Sequence, residues 1–196
     1  MSVEWIVIRG SGVVAFALLT AACVWGLLLS TKIVTRFTKA KALTWFHESL
    51  GLGALLATVV HVAVLSIHDF LPFSWAEILI PGAASWRPLA TALGTVGLYG
   101  LLVVSLSFYF RRWIGQRAWR YLHFLAFGVF AAALLHGILA GTDRSLIMIG
   151  LYAGAAIAIS ALVVQRIVPG AIRANPQDST NGPRTAAVSR GSSESE

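Results

Sequence analysis

Five stretches of this sequence carry no Asp, Glu, Lys or Arg: residues 10–31, 49–67, 88–110, 121–142 and 145–165. Each is 19 to 23 residues long, and at about 1.5 Å of rise per residue that length matches a hydrocarbon core of about 30 Å. Inside lipid, every backbone N–H and C=O must be satisfied within the segment, so runs of this length are expected to be helices. The second helix is expected to start earlier, near Ala42, because Lys41 closes a basic cluster. Composition agrees: 57% of residues are hydrophobic and 12% charged, against roughly 25% charged in an ordinary soluble domain. The expected fold class is all-α, a polytopic membrane bundle of five transmembrane helices.

A net charge of +7 suggests nucleic acid until the charges are placed along the chain. Lys32, Arg36, Lys39 and Lys41 separate the first two helices, and Arg111, Arg112, Arg117 and Arg120 separate the third and fourth. Arg166, Arg173, Arg184 and Arg190 follow the fifth, which leaves Arg9, Arg87 and Arg144 for the opposite side. The positive-inside rule then puts the N-terminus outside and the C-terminus in the cytoplasm. The charge is a topology signal, and no nucleic-acid partner is expected. A cleaved signal peptide fits poorly, since Glu4 and a late Arg9 make a weak basic n-region. Thr20-Ala21-Ala22-Cys23 lacks the Leu of a lipoprotein cleavage box. Cys23, the one cysteine, is expected to be a small packing residue.

Residues 1–168 are expected to form the bundle, and residues 169–196, rich in Ser, Pro, Asn, Gly and Arg, a disordered cytoplasmic tail. The outer loop 69–87 holds Phe70, Phe73, Trp75, Ile78 and Trp86. It is expected to lie on the membrane surface or to cap the bundle.

All five histidines fall on two of the helices: His47, His61 and His68 on the second, His123 and His136 on the fourth. Ionisable side chains inside a bilayer are costly and mark function by default. His47 and His61 are 14 apart and His123 and His136 are 13 apart, which corresponds to about 21 Å and about 19.5 Å of helix. Both helices run from inside to outside, so the levels match: His47 with His123 near the cytoplasmic face, His61 with His136 near the outer face. Two imidazoles from facing helices can hold one haem iron, so the arrangement predicts two b-type haems stacked across the membrane. A single cysteine excludes the c-type attachment motif.

Helical periodicity fits the second helix better than the fourth. At about 100° per residue, His61 returns to within about 40° of His47, whereas His136 falls about 140° from His123. Either the fourth helix distorts, with Gly128 and Gly137 as candidate points, or one of its histidines is not a ligand and a single haem is bound. His68, beside Asp69 and about 10 Å beyond the level of His61, is expected at the interface, out of register with His136.

With these residues in view, the chain resembles the ferric reductase-like transmembrane domain family. This is the membrane cytochrome shared by ferric reductases, NADPH oxidases and the haem-binding membrane subunit of the bacterial methionine sulfoxide reductase system. The resemblance rests on His-x13-His (His47, His61) with His-x12-His (His123, His136), and on Trp119-x-x-x-His123. His136-Gly137 with Gly141-Thr142-Asp143, and Trp86-Arg87-Pro88-Leu89, resemble the bacterial members. It covers roughly residues 40–165. It implies that electrons enter on the cytoplasmic side, pass the inner haem (His47, His123) and the outer haem (His61, His136), and leave to an extracytoplasmic acceptor. It also implies a bacterial inner-membrane location and that the 13-residue spacing works. Larger family members carry a flavin and nicotinamide module that this tail does not resemble. The expected donor is a separate flavoprotein, a bound flavin, or quinol.

Two other readings stay open at this point: a quinol-oxidising bundle of the cytochrome b561 kind, and a non-redox transporter or membrane scaffold. Glu48 is expected to reach the headgroups, and Trp45 and Trp119 to be belt residues. Arg87 is a candidate to attract an anion or haem propionate outside, and Arg117 and Arg120 to meet propionates inside.

Overall fold

The computed structural model describes residues 3–30, 40–67 and 73–173. These residues form six helices and no strand: α1 (Val3–Ser30), α2 (Ala40–Ser66), the short α3 (Trp75–Leu79), α4 (Pro88–Ile114), α5 (Gln116–Ala140) and α6 (Leu146–Arg173). All but α3 are long and apolar enough to cross a membrane, which gives the five expected spans. Few of their residues are buried inside the protein, and large apolar side chains such as Ile157 (69% exposed) and Ile147 (77%) face outward. A helix that is apolar all round and presents such a surface needs lipid as its solvent, so the chain is an integral membrane protein. α6 runs on to Arg173, past the expected end of the bundle. His68 and the rest of the expected tail lie outside the described residues.

The helices associate as two tight hairpins, α1 with α2 and α4 with α5, that touch each other much less. Within α4–α5 the reversal is made at Gly115, whose φ of 82° is open to glycine at little cost. Close approach along this hairpin uses two more small residues. A Cβ on Gly97 would lie 3.9 Å from that of Ala132, and one on Gly100 would lie 2.5 Å from Val129 Cγ2. Without a hydrophobic force between helices in lipid, such backbone proximity is what dispersion requires. Trp25 fixes the other hairpin by donating Nε1–H to the Leu43 carbonyl at 3.0 Å and resting edge-on against Phe46.

Between the hairpins, contact is concentrated at mid-height. Phe16 of α1 stacks on Phe130 of α5 at 5.8 Å and meets Tyr152 of α6 edge-on at 5.2 Å. Ala54, Leu19, Leu27, Leu101, Val129 and the buried thiol of Cys23 complete this cluster. Cys23 is the packing residue its isolation suggested.

Residues 73–87 cap one end. Phe73, Ile78 and Ala84 form a small buried cluster against Val62, Leu65 and Trp86. Glu77 is its fastener: one carboxylate oxygen accepts from the Ser85 N–H and hydroxyl, the other from those of Ser74 in a capping box. These hydrogen bonds, the Ser85 N–H foremost, hold the Glu77 carboxyl down at about 2. Thr95 and Tyr99 of α4 then donate to the Ile78 and Leu79 carbonyls at 2.7 and 2.6 Å. The described part of the loop thus packs as a cap on this end of the bundle. At the same end Arg9 pairs with Asp143 at 2.6 Å. The opposite end carries Arg111, Arg112, Arg117 and Arg120, all exposed. These are called the capped end and the basic end below.

Candidate functional site

The histidines line the gap between the hairpins. α2 and α5 barely touch along their backbones, yet their imidazoles meet across the space between them. His61 and His136 form a pair at the capped end, with ring centroids 6.4 Å apart and planes at 83°. His47 and His123 form a pair at the basic end, 5.8 Å apart and at 76°. Both pairings are those expected from axial level.

The periodicity conflict on α5 dissolves without distortion, because α5 is one unbroken helix. A tightly packed α2–α5 seam would need both α5 histidines on a single stripe. Across a gap, each needs only to project into the space from its own flank. Gly128 has open space at its Cβ position, and Gly137 makes room for the Tyr152 ring, since a Cβ there would lie 2.8 Å from the hydroxyl, so neither serves as a break.

At the capped end, His61 Nδ1 lies 2.8 Å from the Ile8 carbonyl and His136 Nδ1 lies 2.7 Å from the Ala90 carbonyl. A carbonyl can only accept, so each Nδ1 carries the proton and donates, which leaves the Nε2 lone pair free. That is the tautomer a metal-binding histidine needs, held in place by its outer partner. A cavity of about 270 Å³ opens here, lined among others by Gly12, His61, Gly94 and His136, and by Arg9 and Asp143. The Asp143 carboxyl is held below its usual range, first by the Ser145 N–H and hydroxyl and then by Arg9.

The basic end is built differently. His47 Nδ1 is buried without a hydrogen bond, although the Ala22 carbonyl of α1 lies beside it. His123 stacks on Trp119, centroids 5.1 Å apart and planes at 21°, and the Trp119 Nε1–H is also buried without a partner. Trp119 therefore packs on the site, whereas Trp45 is 68% exposed, as a belt residue would be. Glu48, Arg117 and Arg120 are exposed. Arg87 is engaged structurally: it donates to the Leu139 carbonyl at the end of α5 and covers Trp86. That bond closes the end of α5.

Two imidazoles sharing one metal, each with a nitrogen about 2 Å from it, would have ring centroids roughly 6 Å apart, a separation close to that of both couples. Among the described residues no three His, Cys, Asp or Glu side chains gather at one point. Sequence reading missed Gly12, Gly26, Gly94 and Trp119. The signal for the first two was present, since Gly12 and Gly26 repeat the 14-residue spacing of His61 and His47 on the antiparallel neighbour. Family models, curated proteins and solved structures give no match to this chain, and its chemistry rests on these residues alone.

Proposed function

We propose that this chain is a transmembrane b-type cytochrome, the membrane component of a reductase, which passes electrons from a cytoplasmic-side donor to an extracytoplasmic acceptor. The observation that carries this reading is the pair of facing histidine couples, one residue of each from each hairpin, at centroid separations of 5.8 and 6.4 Å. His47 with His123 would hold one haem and His61 with His136 the other. Bound haem supplies one-electron carriage. The chain's own part is to present Nε2 lone pairs at two levels, to exclude lipid and water from the gap, and to keep the levels apart with the Phe16–Phe130 cluster.

The basic end is the cytoplasmic one by the positive-inside rule, and the capped end faces the acceptor. The membrane in question is the bacterial plasma membrane on the resemblance to ferric reductase-like proteins. On the same reading, electrons come from a separate flavoprotein, a bound flavin, or quinol. The test is a reduced-minus-oxidised spectrum and pyridine haemochromogen assay on purified protein. A b-type signal that is lost with the histidines supports the reading; folded protein without haem refutes it and favours a scaffold.

A further inference from the structure

Two of the four histidines meet the same device on the neighbouring helix. A carbonyl at position i of a helix points toward residue i+4, whose side chain screens it from lateral approach. At Ile8–Gly12 and Ala90–Gly94 that residue is glycine, and the imidazoles of His61 and His136 come in over it to donate to the carbonyl. A Cβ on Gly12 would lie 3.1 Å from His61 Nδ1, and one on Gly94 would lie 2.8 Å from His136 Nδ1. Gly26 lies under His47 in a similar way, with 3.1 Å from its Cβ position to Cε1, but the Nδ1 of His47 makes no hydrogen bond there. His123 rests instead on the Trp119 ring of its own helix.

Resting on the haem reading above, we propose that Gly12 and Gly94 are positioning residues that fix His61 and His136 in the Nε2-coordinating form. With neither His47 nor His123 hydrogen-bonded to a carbonyl among the described residues, the basic-end site has the higher reduction potential of the two. The physical reason is ligand basicity. An Nδ1–H that donates to a carbonyl makes Nε2 a stronger donor, and stronger donors stabilise the oxidised metal. Both capped-end ligands are anchored this way. Transfer from the basic to the capped end is then uphill, so electrons wait at the basic end until an acceptor drains the other.

Two measurements test this. In haem-free protein in bilayers, solid-state NMR of isotopically labelled histidine nitrogens is expected to show the Nδ1–H tautomer at His61 and His136, assigned with His61→Gln and His136→Gln. In haem-loaded protein, a redox titration is expected to resolve two one-electron steps. Gly12→Ala and Gly94→Ala move the lower step to more positive potential and leave the upper step in place. Gly128→Ala, with open space at its Cβ, moves neither. An Nε2–H tautomer at His61 and His136 overturns the inference. So does a single shared potential, or a Gly94→Ala protein whose lower step stays in place. If haem is absent but the Nδ1–H tautomer is present, the haem reading and the potential order fall while the notches stand.

Discussion

Truncating Phe130 tests whether the two hairpins are held together at mid-height. Phe130 is 6% exposed, stacks on Phe16 across the hairpin boundary, and lies between His123 and His136 on α5. In lipid the transfer part of the usual Phe→Ala cost is small, because the tails are as apolar as the side chain. What remains is the void. Roughly 100 Å³ of lost side chain at about 24 cal/mol per Å³ gives about 2.4 kcal/mol. The lost aromatic pair adds about 0.5–1.5 kcal/mol. Phe130→Ala is thus expected to cost about 2–4 kcal/mol, Phe130→Leu less than about 1.5. Ile157→Ala, on the lipid face, is expected to cost almost nothing, because lipid fills the space it leaves. Steric trapping in bilayers or reversible denaturation in mixed micelles reads these differences. A Phe130→Ala protein as stable as Ile157→Ala would refute the packing argument.

Three further outcomes are expected. His47→Ala and His123→Ala remove the same spectral component, as do His61→Ala and His136→Ala; unequal losses within a couple, followed by absorbance, would break the pairing. The Glu77 carboxyl sits at about 2 in the folded cap against an ordinary 4.5, so its contribution is complete above 4.5 and is lost as pH falls toward 2. Limited proteolysis of residues 73–87 should therefore accelerate over that window, and Glu77→Gln should cleave quickly at all pH values. The Arg9–Asp143 pair is 37% and 38% exposed, so Asp143→Asn is expected to leave the melting temperature nearly unchanged and insensitive to salt.

The spans were legible because a bilayer prescribes length and polarity together, and the ends were less so. α1 begins at Val3, with Glu4 and Arg9 inside the helix, because its end reaches beyond the apolar layer and Arg9 finds Asp143 there. α4 likewise runs through Arg111 and Arg112 to Ile114, their guanidinium groups resting on Phe108 and Trp113. The histidine couples were legible from axial rise, a property of any helix. The direction in which His136 points was not, because an angular argument assumes packed helices and α2 and α5 flank a gap. The glycine notches were hidden for a related reason. A residue with no side chain matters only through what its neighbour does, and His61 and His136 are far from Gly12 and Gly94 in sequence. Trp119 read as a belt residue because amphipathic aromatics near a basic loop usually are; its stacking on His123 is a tertiary fact one helical turn away.

The haem-to-protein ratio of the purified chain tests the central claim most directly. Two facing couples predict two b-type haems per polypeptide, falling to one when either couple is broken. A ratio of one in the unaltered protein would contradict the account by removing one couple from the site, and a ratio of zero would remove both.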